Sequence, residues 1–230
     1  MICPIVISTV HGRGLPVLLE SIKQYAPEVP IYLRGPSSIV DKYDVDVKIF
    51  GAVNNFGDDY NSVIDCAIKD YDSVIVANDD IVLTPSSYRL LMDDVEIIKS
   101  LDRKIGWVAS RSDSVRQVQN IRYNPDEDAI QWNRFASEGS IRPASIIAPI
   151  FAWIGSDAWR VSKFPPLNWY SDDVHCLDLA RAGFEHYVSV SYVHHVGSQT
   201  VGNDMEKLNA QARPWIEANR PEYARDWFET

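Results

Sequence analysis

Between residues 4 and 110 the sequence alternates short apolar runs with amphipathic ones, and few architectures satisfy that rhythm. The segments "PIVIST", "VPIYLRG", "VDVKIFG", "SVIVAN" and "IGWVASR" read as strands. Between them, a helix from about Val17 to Tyr25 puts Leu18, Leu19 and Ile22 on one face. The segment "NSVIDCAIKD" predicts a short helix with Asn61 or Ser62 as its N-cap. After Pro85, "SSYRLLMDDVEIIKSL" predicts a longer helix that turns Leu90, Leu91, Val95, Ile98 and Leu101 inward. Strand–helix alternation of this kind builds a sheet covered by helices. The expectation is an α/β fold with a mixed, mainly parallel sheet flanked by helices. In such sheets ligands sit beyond the carboxyl ends of the strands.

The pattern loosens after residue 110. Residues 112 to 142 are polar, with Arg111, Arg116 and Arg122 in or beside them, and "ASIIAPIFAWIG" is apolar again. The segment "SDAWRVS" suggests a helical turn. Ser171 reads as an N-cap with Asp172 and Asp173 in the first turn, Val174, Leu177 and Ala180 inward, and Gly183 at C′. "HYVSVSYVHHVG" alternates as a strand that ends on His194 and His195. The tail, residues 201 to 230, predicts a helix from about Glu206 that Pro214 and Pro221 interrupt.

With 230 residues, 46% of them hydrophobic, the chain suits one sizeable domain with its own core. The 32 acidic residues outnumber the 22 Lys and Arg, giving a net charge of −10, which argues against a protein that coats nucleic acid. Cys3, Cys66 and Cys176 show no metal-ligand spacing and read as reduced thiols of an intracellular, cytoplasmic protein. The opening "MICPIVISTV" lacks a basic n-region and reads as a strand rather than a leader. No apolar run approaches the ~18 residues that a membrane helix needs.

The polar residues with chemical potential gather at predicted element ends, and each has an ordinary reading beside a functional one. Asn78, Asp79 and Asp80 end a buried strand as a solvated strand end or cap, or as a seat for a hard divalent cation. Asp172 and Asp173 favour a helix dipole or serve in catalysis. His194 and His195 are satisfied strand-end imidazoles or metal ligands. The loop His11-Gly12-Arg13-Gly14 follows the first strand and faces the same crevice as the acids. Gly197-Ser198-Gln199-Thr200 forms a turn or offers donors to a phosphate. Trp153, Trp159 and Trp169 pack in the core or stack on a sugar or base. The three arginines form a solvated loop or receive an anionic acceptor.

Taken in order, the opening strand with its loop, "NNFGDDYNSVIDCAIKDYDSVIVANDD", "FAWIGSDAW", "WYSDDVHCLDLARAGF" and "VHHVGSQT" resemble the GT-A glycosyltransferases of the family 2 type over residues 4 to 200. The resemblance implies a nucleotide-sugar-binding half over about 1–110, an acceptor and catalytic half over about 111–200, and a tail over 201–230. It puts "NDD" in the place of the DxD motif, with Asp80 as ligand of Mn²⁺ or Mg²⁺, Asn78 as a hydrogen-bonding partner of ribose or sugar, and Asp79 in support. It makes Asp173, or else Asp172, the catalytic base, and lets His194 or His195 complete the metal site. Thr9, His11 and Arg13 would hold base and ribose, Asn55 and Gly57 would line the nucleotide pocket, and Ser198 would serve the phosphates. The implied activity is metal-dependent, inverting transfer of a sugar from a nucleoside diphosphate to an acceptor hydroxyl. The acceptor stays open among a glycan, a lipid carrier, a protein and a modified nucleic-acid base. Two rivals are a nucleotidyltransferase, for which "HGRGLP" is a poor phosphate loop, and a non-catalytic nucleotide-sugar-binding domain.

Overall fold

The computed structural model describes residues 2–121, 123–124, 129–130, 140–196 and 204–228. The apolar runs form β1 (Ile5–Ser8), β2 (Ile31–Gly35), β3 (Val47–Phe50), β4 (Ser73–Asn78) and, after a short β5 (Ile81–Leu83), β6 (Ile105–Ser112). Between them lie α1 (Leu15–Tyr25), α2 (Ser37–Val40), α3 (Phe56–Ala67) and α4 (Ser87–Lys99). The second half adds β7 (Tyr123–Asn124) and β8 (Ala129–Ile130), paired only with each other, then β9 (Arg142–Ala144), β10 (Phe151–Gly155) and α5 (Ser156–Val161). It ends with α6 (Ser171–Arg181), β11 (Glu185–His195), α7 (Met205–Asn219) and α8 (Pro221–Phe228).

The main sheet runs β3-β2-β1-β4-β10-β6-β11-β5, with β9 also beside β11. Strand β1 is parallel to β2 and β4, β2 to β3, and β6 to β11. The parallel expectation therefore fits the first half. In the second, β10 is antiparallel to both β4 and β6, and β5 and β9 are antiparallel to β11. Because β10 reverses between them, β4 and β6 point the same way. The carboxyl ends of β1, β4, β6 and β11 consequently share one edge of the sheet.

Strand alternation fills both faces. Ile5, Ile7, Ile75 and Ala77 pack with Leu15, Leu18, Leu91, Val95 and Ile98 on one side. Val6, Val74 and Val76 pack with Tyr60, Val63, Trp159 and Leu179 on the other. Trp153 and Trp159 are buried in these layers, 4% and 1% exposed, which makes them core. Helix α6 descends from the shared edge and returns through Gly183, at φ +86, into β11. That direction brings its N-terminus, with Asp172 and Asp173, to the edge where the strands end.

Several element ends differ from the sequence reading. Helix α1 begins two residues early, at Leu15, because Pro16 is well placed in a first turn. Helix α3 begins at Phe56, where Asn55 Oδ1 accepts the Asp58 N–H at 2.8 Å, so Asn61 and Ser62 lie inside the helix. Asn61 instead braces the backbone of Phe164 at both N and O. Tyr170, at φ 65, holds the cap position of α6, and Ser171 is its first residue, donating to Pro165 O at 2.9 Å. Helix α4 stops at Lys99, leaving Leu101 outside and 58% exposed. Helix α7 runs through Pro214, held by buried Leu208, Ala212 and Ile216; only Pro221 marks a break, opening α8 where a missing N–H is harmless.

Helices α7 and α8 lie against α6 through a separate apolar cluster that includes Leu167, Val174, Ala212, Ile216 and Tyr223. Asp178 of α6 clamps them, accepting from Arg220 at 2.7 Å and from the Tyr223 hydroxyl at 2.9 Å. Among the described residues no helix is long and apolar enough to cross a membrane.

Candidate functional site

The loop after β1 and the turn after β4 form one unit. Thr9 is 1% exposed; its hydroxyl donates to Asp79 Oδ2 and accepts the Gly12 N–H at 2.9 Å. A Cβ at Gly14 would lie 2.4 Å from Asp79 O and 2.7 Å from Asp80 Cα, so only glycine lets the loop press on the turn. Burial pushes the Asp79 carboxyl above its usual range, with the Thr9 hydrogen bond opposing. The Asn78 N–H is held by Ile150 O at 2.9 Å, and the Tyr60 hydroxyl donates to Ala77 O at 2.8 Å. His11 and Arg13 stand exposed on the loop.

The next group comes from β11. The β5–β11 register pairs His195 with Ile81, and the Val196 N–H donates to Asp80 O at 3.1 Å. His195 Nε2 then lies 3.1 Å from Asp80 Oδ1. The Nδ1 of the same ring is 2.5 Å from Ser114 O. A carbonyl only accepts, so Nδ1 carries hydrogen and a neutral ring aims its Nε2 lone pair at a carboxylate. Two acceptors facing each other need a proton or a cation between them. Burial alone would depress the His195 pKa, yet Asp80 outweighs it and the net direction is upward. Among the described residues there is no group of three or more His, Cys, Asp and Glu able to hold a metal. Two protein donors suit a cation whose remaining ligands come from substrate phosphates.

His194 takes a different partner. Its Nδ1 is 2.5 Å from Asp113 Oδ2, while Asp113 Oδ1 accepts the His195 N–H at 3.1 Å. These bonds hold the Asp113 carboxyl below its usual range against the opposite pull of burial. Only His195 faces Asp80.

The segment after β6 then reaches α6. Arg116 Nη2 donates to Asp172 Oδ2 at 3.0 Å and, more closely, to Asp173 Oδ2. Asp173 is 7% exposed. Burial, then the charge of Asp172, pushes the Asp173 carboxyl up to about 7, with Arg116 opposing. Two carboxylates sharing one cation leave a carboxylate able to exchange a proton near neutral pH. Arg116 is thus committed to the acids, and Arg111 is buried with Nη2 on Val190 O at 2.8 Å, so neither is an open seat for an anion. Arg122 and the Gly197–Thr200 turn, with Ser198, lie outside the described residues.

Asp79 and Asp80, His195 with Ser114 and Asp113, and Arg116 with Asp172 and Asp173 therefore follow one another along a single edge. Asn55 and Gly57 lie at the start of α3. The Asn55 side chain is engaged in capping, and a Cβ at Gly57 would come 1.8 Å from Pro165 O, so Gly57 admits the 165–167 loop against α3. Arg34, at the end of β2, pairs with Asp59 of α3 at 2.8 Å with both side chains buried, and its Nη1 has no partner among the described residues. The sequence reading passed over Arg34, Asp59 and Asp113. Two signals were present: a charge inside the strand "IYLRG", and an acid after "IGWVASRS" in the same strand-end position as Asp79.

No protein-family profile and no curated protein matches the chain. Solved structures do. Staphylococcus aureus TarS superposes with TM-score 0.57 at 12% identity, over 94% of this chain and 40% of that one. TarS 1–349 in complex with UDP-GlcNAc gives 0.59 at 11% identity, over 93% of this chain and 65% of that one. A further structure of TarS 1–349 gives 0.56 at 11% identity, over 100% and 76%. The chain thus spans less than half of the longer TarS chain. TarS is a GT-A-type glycosyltransferase, and at this identity the likeness concerns architecture: the chain has the GT-A fold that its motifs led one to expect.

Proposed function

We propose that this chain transfers a sugar from a nucleoside-diphosphate donor to an acceptor hydroxyl. The observation that carries the reading is the Asp80–His195 pair, 3.1 Å apart at the sheet edge where Thr9, Asp79 and Asp173 also arrive. The complex of TarS with UDP-GlcNAc supports the donor class. Asp80 and His195 Nε2 would hold Mn²⁺ or Mg²⁺, which supplies charge neutralisation for a departing diphosphate. Ser114 O fixes the ring tautomer that leaves Nε2 free to bind, and Asp113 seats the backbone and neighbouring ring of that strand end. Thr9, His11, Arg13, Asn78 and Asp79 form the nucleotide side, with Arg34 Nη1, a donor without a partner among the described residues, beside it.

Asp173 is the base in this reading. It takes the acceptor hydroxyl proton as the new bond forms at the anomeric carbon and the bond to the diphosphate oxygen breaks on the opposite side, which inverts the centre. A base of this kind contributes ~10²–10⁴-fold. Arg116 holds Asp173 in place and Asp172 shares the cation.

Calorimetry with UDP-, GDP- and TDP-sugars, with and without Mn²⁺, tests the proposal. One donor should bind with metal, Asp80→Ala and His195→Ala should lose the metal dependence while keeping their circular dichroism, and Asp173→Asn should bind but transfer slowly. Metal-dependent binding that survives Asp80→Ala removes the metal assignment. A chain that binds none of the donors is not this enzyme.

A further inference from the structure

A cavity of about 200 Å³ opens between the 166–169 loop, the start of α3 and the inner face of α7, with a wall residue three positions before Asp172. It is smaller than the roughly 300–1,000 Å³ of pockets for drug-sized ligands, and suits a single ring of a longer molecule. Trp169 forms one wall and Leu167 and Leu208 supply apolar surface. Among the described residues its polar lining is the amides of Asn55, Asn168 and Gln211 beside the Trp169 indole, with no charged side chain.

The amides differ in what they have left to offer. Asn55 is engaged at both ends with Asp58, its Oδ1 accepting at 2.8 Å and its Nδ2 donating at 2.6 Å. Asn168 Oδ1 accepts the Phe56 N–H at 3.0 Å, which leaves its NH₂ as a donor. Gln211 stands exposed on α7, its donor and acceptor both without a partner among the described residues. A half-buried indole beside planar amides is chemistry for a sugar ring: the C–H face meets the π-surface, and hydroxyls exchange hydrogen bonds with amides.

The position fits an acceptor. Trp169 precedes Asp172 by three residues, and the left-handed turn at Tyr170 carries the chain from the cavity wall into the first turn of α6. The α7 wall is fixed: Tyr170 stacks on Trp227 at 4.9 Å and donates to Asn209 Oδ1 at 3.0 Å, and Asp178 clamps Arg220. Among the described residues the two arginines nearest the acids do not receive an anionic acceptor, because Arg116 is neutralised by two carboxylates and Arg111 is internal.

We infer that this cavity seats the acceptor and that the acceptor is a neutral oligosaccharide, one ring stacked on Trp169 and hydrogen-bonded by Asn168 and Gln211. The inference rests on the transferase reading above and gives its acceptor a chemical class.

Saturation-transfer NMR on the full chain tests it, with cellotetraose, maltotetraose, mannotetraose and chitotetraose as neutral probes and tetragalacturonate as the anionic one. At least one neutral probe should bind, and Trp169→Ala should weaken it by about tenfold or more. Gln211→Glu, on an exposed helix position that leaves folding alone, should weaken it as well. UDP-sugar affinity should not change in either variant. Three results overturn the inference: a chain that binds donor but no neutral probe, a preference for tetragalacturonate, or variants that bind the probe as the parent does. A chain that binds the neutral probe through Trp169 but binds no nucleotide sugar keeps the glycan seat and rejects the transferase reading.

Discussion

Replacing Arg116 by methionine keeps most of the side chain's volume and removes the one cation that Asp172 and Asp173 share. Asp173 is almost fully buried, and removing one partner from a buried pair costs about 3–5 kcal/mol. Arg116 and Asp172 have side chains 33% and 19% exposed, so water screens part of the loss and about 2–3 kcal/mol is expected near neutral pH. The loss should depend on pH. Asp173 already has a folded pKa raised from 3.8 to about 7, so its contribution to stability is fully present in acid and fades as pH rises through 7. Without Arg116 the folded value moves higher still. The difference between variant and parent should therefore be smallest at pH 5, where Asp173 is protonated in both folded forms, and widen toward pH 8.5. Urea unfolding at pH 5, 7 and 8.5 reads this directly. In transfer assays the acid limb of the rate profile should move to higher pH, each unit removing about tenfold of the ionised base on that limb. Arg116→Lys restores the charge but not the fork, so it should recover stability better than the profile. An equal stability loss at pH 5 and 8.5, with an unmoved acid limb, would refute the assignment of Arg116 as the residue that positions the base.

Two further outcomes are expected. His175 is 0% exposed; its Nδ1 accepts from Trp107 Nε1 at 3.2 Å, its Nε2 donates to Ser162 O at 2.9 Å, and burial pushes its pKa down to about 3. His186 is depressed by burial as well, so the stability these neutral rings contribute is present above their ordinary pKa and is lost as pH falls below it, at up to ~1.4 kcal/mol per pH unit for each. His175→Gln, which offers one acceptor and one donor but no titrating group, should remove one proton's worth of that slope between pH 6 and 4.5; an unchanged slope contradicts the placement. Gly14→Ala forces Cβ to within 2.4 Å of Asp79 O, an overpacking that costs about 1–3 kcal/mol and displaces the acidic turn. Metal-dependent donor affinity should fall in that variant even after adjustment for the folded fraction, and full affinity would show that the loop and the turn are not coupled.

What the sequence reveals and what it hides follow from how far each interaction reaches along the chain. Strand ends are local events, and an apolar run stopped by "NDD", or an alternating run stopped by "HH", announces itself within a few residues. The start of α3 was harder, because its first turn, "FGDD", is polar and close-packed and carries little apolar periodicity. The choice between His194 and His195 depends on register. Adjacent strand residues point to opposite sides, but which of them meets Asp80 is decided by the pairing of His195 with Ile81, across more than a hundred residues. Asp113 and Arg116 were hidden more deeply. Their roles depend on strand order: β6 points the same way as β4, with β10 between them, and lies parallel beside β11, so the segment after β6 meets the ends of both. The residues proposed to touch substrate were thus readable from local pattern, while those that orient them were set by topology. That division explains why the sequence leaves Arg116 open between a solvated loop and a seat for an anionic acceptor, when its neighbours in space make it the shared counter-charge of Asp172 and Asp173.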